Sequence, residues 1–221
     1  MFRLSHTLKQ IRSVQAQAGF TMIELLIVIS ILGILAVAVL SAINPVEQIN
    51  RGRDTGTQSD AEQLISAIDR HHAFQSYYPW QIDANDDDEL TALEGALTPV
   101  TALEPADTAN CSILDKLSIG STTPACSGTN ELKATFITRI VSGGANRTLH
   151  IYNRGTTGSS TYVCFIPQSD AYLTRAKERC RAALPGDIED VVAATICGGV
   201  APGADNTGTA AAGSDYYYCL P

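Results

Sequence analysis

Three features of the sequence predict an α+β protein in which a long N-terminal helix packs on an antiparallel β-sheet and disulfides stabilise the whole. A run from Phe20 to Leu40, apolar but for Thr21, Glu24, Ser30 and Gly33, leads into a stretch with helical spacing that reaches about residue 75. Farther on, β-rich segments alternate with clusters of Gly, Ser, Thr and Asn. Six cysteines, Cys111, Cys126, Cys164, Cys180, Cys197 and Cys219, all lie beyond the apolar run, and their even number suits three disulfides in an oxidising space. None forms a CxxC pair, which speaks against zinc and thioredoxin-like chemistry, and the plainer alternative is a set of buried thiols.

The apolar run has 21 residues. As a helix it reaches roughly 31 Å, about the thickness of a bilayer's hydrocarbon core. Its single ionisable side chain is Glu24. A carboxylate at membrane depth is costly and needs either a partner or a role. The helix then meets a disturbance at Asn44-Pro45, because proline removes an internal hydrogen bond and crowds the preceding turn. Beyond it, Val46, Ile49, Ala61, Leu64, Ile65 and Ile68 recur at helical spacing, with Glu47, Arg51, Asp60, Glu62 and Asp69 off that face. This amphipathic continuation, 44–75, is expected to lie against a globular domain, 76–221. Gly52 and Gly56 weaken the helix locally, and Tyr77-Tyr78-Pro79 ends it.

Within the globular part, the acidic run Asp83 to Glu89, a short helix through Leu97 and loops carrying Cys111 and Cys126 come first. Lys133 to Val141, Arg147 to Asn153 and Thr161 to Ile166 then read as three strands of a meander, separated by turn-rich segments. Ser169 to Leu184 reads as a helix with Ser169 or Asp170 as its cap and Pro185-Gly186 as its stop. Gly198 to Ser214 is Gly/Ala-rich and expected to be a loop before a last strand, Asp215 to Leu220. Tyr162-Val-Cys164-Phe-Ile-Pro167 and Tyr218-Cys219-Leu-Pro221 echo one another, each placing a cysteine in a short apolar strand that ends at proline. Side by side, two such strands bring Cys164 and Cys219 within bonding reach. Short loops favour Cys111 with Cys126 and Cys180 with Cys197.

Sites for chemistry are few. Asp83, Asn85, Asp87 and Glu94 hold the first, third, fifth and twelfth places of a calcium loop, but Asp88 stands where that loop needs glycine. A solvated acidic turn is the plainer reading. His71 and His72 are adjacent on a helix and point about 100° apart, which does not suit one metal. Asn110-Cys-Ser112 and Asn146-Arg-Thr148 match a glycosylation pattern short enough to arise by chance. No nucleophile elbow, phosphate loop or zinc motif is present, so no enzymatic activity and no cofactor is expected. Beyond Gly19 the chain carries 12 basic against 23 acidic residues, a net charge of −11 that disfavours nucleic acid unless folding gathers a basic patch.

Gly19-Phe20-Thr21-Met22-Ile23-Glu24, followed by the apolar run, resembles the prepilin N-terminus of type IV pilins and pseudopilins. The resemblance implies a basic leader, 1–19, carrying Arg3, Lys9 and Arg12; cleavage after Gly19 by a prepilin peptidase; methylation of the Phe20 amine; and a transmembrane and polymerisation helix, 20–43, in which Glu24 serves assembly. It further implies an inner-membrane precursor with the leader inside. That precursor would become a structural subunit of an extracellular filament, its partners being identical or related subunits and the assembly machinery. A pseudopilin or minor pilin of a secretion or DNA-uptake machine is the near alternative. From another class, an ordinary signal peptide cleaved near Ala36-Val-Ala38 or Leu40-Ser-Ala42 would release a secreted disulfide-rich binding domain. A long n-region and the charge of Glu24 at the head of the apolar run argue against that reading.

Overall fold

The computed structural model describes residues 19–81, 97–101, 111–118, 129–143, 148–155, 158–182, 184–203 and 216–221. The elements are α1 (Met22–Ala42), α2 (Pro45–Gln75), β1 (Thr98–Pro99), α3 (Ile113–Lys116), α4 (Ala134–Ser142), β2 (His150–Asn153), β3 (Thr161–Phe165), α5 (Asp170–Arg181), α6 (Asp190–Ile196) and β4 (Tyr218–Leu220). The expected helix through Leu97 and the four calcium-loop positions fall outside the described residues. So do Cys126, both glycosylation asparagines, the leader up to Ala18 and most of the Gly/Ala-rich tail.

The chain divides into two compact units, Met1–Pro45 and Val46–Pro221. The first is α1. The helix ends where Ile43 turns extended (φ −107°, ψ 129°), and α2 begins on Pro45, whose missing N–H costs nothing at the first helical position.

In the second unit, α2 buries Asp54, Thr57, Ala61, Leu64, Ile68 and His71 on one stripe, with spacings that alternate between three and four. Two expectations need correction here. Val46 and Ile49 are exposed, and Glu47, expected to point away, lies on the packed side. The stripe runs one position over, through Glu47, Asn50 and Asp54, because its first turns pack by hydrogen bonds rather than by apolar contact. The buried Asp54 carboxylate accepts the Gln168 amide (3.0 Å), the Ser169 amide (2.8 Å) and the Ser169 hydroxyl (2.6 Å). Glu47 accepts the Asp170 amide at 3.1 Å, and the Asn50 side chain donates to the Gln168 carbonyl at 3.3 Å. Three residues of α2 thereby supply partners to the first turn of α5, whose amides have none of their own.

The sheet is antiparallel, in the order β1-β2-β3-β4. Pro99 sits in edge strand β1, the place in a sheet that tolerates proline. All five residues of β3 are buried, and Leu64, Ile68, Leu149, Ile151, Val163, Phe165 and Ile196 share the core. Cys164 and Cys219 stand opposite one another in register and are bonded; Cys180 and Cys197 join α5 to the end of α6. Cys111 is also disulfide-bonded.

One expected strand is a helix. Lys133 to Val141 is rich in β-branched residues, yet Ala134–Ser142 forms α4 and buries Phe136 and Ile140, a four-residue spacing. Phe136, Ile137, Ile140 and Val141 follow the helical period, and that period outweighs composition. The place of a strand beside β2 is taken by β1.

Candidate functional site

The site begins at Gly19 and Phe20, which precede α1 and are exposed. A Cβ built on Gly19 meets no atom within 4 Å, so the fold has no steric need of glycine there. Thr21 caps α1, its hydroxyl accepting the Glu24 amide at 3.3 Å. This cap sets Glu24 at the third helical position, where a carboxylate is favoured by the positive end of the helix dipole. Thr-x-x-Glu ahead of an apolar run is the sequence signal for such a helix start.

No residue of α1 is buried, and its side chains are apolar all round. A helix of that kind is covered by lipid or by other protein, and α1 is long and apolar enough to cross a membrane. Its two hydroxyls are satisfied inside the helix: Ser30 donates to the Leu26 carbonyl at 2.7 Å and Ser41 to the Ala38 carbonyl at 2.9 Å. Glu24 is left as the single group that neither lipid nor an apolar helix face satisfies.

The second unit offers polar sites with structural roles. In a cleft of about 610 Å³ beside α2 and α4, Arg70 pairs with Glu131 at 2.7 Å, Arg139 pairs with Asp60, and Glu62 accepts the Gln58 side-chain amide at 2.9 Å. Shifted titrations often mark active sites, but here they trace a strap. Tyr162 donates to Asp187 at 2.7 Å and is pushed up to about 12, by burial first and by that carboxylate second. Burial raises Asp187, yet the hydrogen bonds from Tyr162 and the Ser160 amide outweigh it and hold the carboxyl low. The strap fastens the turn ahead of α6 to β3. His71 is buried with its Nδ1 3.1 Å from the Tyr77 carbonyl, and His72 stacks on Tyr78 at 4.2 Å. Among the described residues no three His, Cys, Asp or Glu side chains form a metal-binding group.

Residues 15–40 match the family model described as the prokaryotic N-terminal methylation motif, the motif of type IV pilins and pseudopilins. No curated protein and no solved structure matches the chain.

Proposed function

We propose, starting from a chain that carries the N-terminal methylation motif of type IV pilin-like precursors at residues 15–40, that it is a structural filament subunit. In this reading a prepilin peptidase cuts after Gly19, the Phe20 amine is methylated, and α1 leaves the membrane to pack against the α1 of neighbouring copies. The observation that carries the reading is α1 itself, apolar on every side, buried nowhere in its own chain, and headed by an exposed Gly-Phe pair. The chain is the substrate of that chemistry and supplies no catalytic group to it.

Glu24 gives the packing its register. Cleavage exposes the Phe20 amine, a cation four residues from Glu24. Within one helix that amine is a poor partner, but in a stack of axially offset copies the Glu24 of one subunit meets the Phe20 amine of the next. Apolar surfaces slide past one another, whereas a dehydrated ion pair broken on one side costs on the order of 3 to 5 kcal/mol.

Two measurements test the reading. Sequencing the mature N-terminus should give Phe20, and a start near Ile43 would show an ordinary signal peptide instead. Glu24→Ala should leave insertion and cleavage intact while sharply reducing the chain in sheared filaments. Assembly at the wild-type level, in cells lacking related subunits, would remove Glu24 from this role.

A further inference from the structure

The end of α5, the turn ahead of α6 and the last strand surround a cavity of about 300 Å³. Its walls are mainly apolar, with Ala176 and Ala182 at α5, Leu184 and Ile188 in the turn, Ile196 in α6 and Tyr217 next to β4. Ala176, Ile188 and Ile196 are buried, whereas Ala182, Pro185 and Pro221 are exposed, so the core closes the cavity on one side and solvent reaches it on the other. Protein interiors leave few voids larger than a water molecule. Water is a poor filling for this one, because an enclosed water needs several polar partners and the lining side chains offer few. The hydroxyl of Tyr162, also in the lining, is already given to Asp187 at 2.7 Å.

One side chain in the lining carries a charge. Arg179 lies over the ring of Tyr218 at 4.2 Å and donates to the Cys219 carbonyl and the Tyr218 hydroxyl. Those bonds anchor the guanidinium against the last strand and leave it further N–H groups to donate. Arg179 forms no ion pair with a described residue, and no Asp or Glu is in the lining. An apolar cavity with a single anchored cation at its wall combines what a ligand's body needs with what one acidic group needs.

We propose that this cavity binds a small monocarboxylate with an apolar body, its carboxylate on Arg179 and its body among Ala176, Leu184, Ile188 and Ile196. A cavity of about 150 Å³ takes one benzene, so this volume suits a molecule of about a dozen non-hydrogen atoms. A guanidinium recognises a carboxylate both by charge and by paired hydrogen bonds. A neutral molecule would use the walls and leave Arg179 to water, and a cation would be repelled by it. The bound acid touches α5, α6 and the last strand together, and it stabilises the fold in proportion to its occupancy. Such a site is independent of the filament reading above.

The test titrates the detergent-solubilised full chain, by calorimetry, with 4-phenylbutyrate and with 4-phenylbutyramide, its neutral counterpart of the same size. Partition into detergent is common to every variant, so differences between variants report on the cavity. Wild type should bind the acid about tenfold more tightly than the amide, as a charge-assisted hydrogen bond provides. Arg179→Gln should bring the two probes to equal affinity, because the group that told them apart is gone. Ala182→Phe fills the cavity from its exposed rim and should abolish the binding of both. Failure of wild type to bind the acid at millimolar concentration overturns the proposal. Equal affinity of wild type for acid and amide overturns it as well, since the cavity would then select for apolar surface alone. A preference for the acid that survives Arg179→Gln, or binding that survives Ala182→Phe, places the acid elsewhere. The acid-against-amide comparison needs no substitution, so it decides the matter even where a variant fails to fold.

Discussion

Helices α1 and α2 follow one another in the chain with two residues between them, yet they are stabilised by opposite means. α1 has 21 residues and buries none of them; α2 has 31 and buries a stripe that opens on Asp54 and Thr57, runs through Ala61, Leu64 and Ile68 and closes on His71. The residues of α1 are apolar on every side of the helix and none of them is buried. In α2 each buried position answers to a specific neighbour, Asp54 to the start of α5 and Leu64 and Ile68 to the core. Contacts of the first kind are general and those of the second are specific.

Truncating one leucine in each helix breaks the comparison most directly. Leu64 is wholly buried and Leu32 is 58% exposed. Leu64→Ala should cost the domain about 3 kcal/mol, as buried leucines do, and Leu32→Ala should leave its thermal unfolding unchanged. Equal effects would mean that α1 is packed on the domain after all. Asp54→Ala should come next, at about 2 to 3 kcal/mol, because it strands the Gln168 and Ser169 donors in a buried site. Serine at 54 should recover part of the loss, and a melting temperature insensitive to either change would refute the clasp.

Much of this was legible in the sequence, and the failures have physical causes. The break before Pro45, the end of α2, the Ser169 cap and the pairing implied by the two Cys-containing echoes rest on local rules, which the fold obeys. Ala61, Leu64 and Ile68 of the α2 stripe are buried as their period predicts, but its first turns run one position over, because periodicity weighs apolar residues and these turns pack through Glu47, Asn50 and Asp54. Composition suggested a strand where α4 stands. Helix α6 went unread because its buried Val192, Ala193 and Ile196 are too few to show a period. At the candidate site, Gly19, Phe20 and Glu24 are legible because their spacing is local.

Acidification gives a smaller, titratable probe of α2. Burial lowers the pKa of His71 below its ordinary 6.5; Lys116 and His72 add to that, while the Tyr77 carbonyl and Glu131 oppose it. Burial lowers His150 in the same way. Unfolding frees both imidazoles to bind protons at 6.5, so the unfolded state holds more protons below that pH. Stability should be constant above about pH 7, fall as pH drops through 6.5, and level off once the folded-state values are passed. His71→Gln should flatten part of that fall, and a variant with an unaltered slope between pH 5 and 7 would clear His71 of the effect.

The smallest expected effect lies at the other end of the comparison. Thr21 is the one side chain that fixes where α1 begins, through its bond to the Glu24 amide. Replacing an N-cap threonine by alanine costs about 1 kcal/mol, a loss confined to the first turn. Because α1 contributes nothing to the core of the domain, Thr21→Ala should leave thermal unfolding of the second unit unchanged, and Thr21→Ser should behave as wild type. The change should be felt at Glu24, whose carboxylate would sit on a frayed turn instead of a fixed one. Filament yield should then fall modestly, by less than for Glu24→Ala, with cleavage after Gly19 unaffected. Yields for Thr21→Ala as low as those for Glu24→Ala would mean that Thr21 has a partner of its own in the assembly and does not serve as a cap alone.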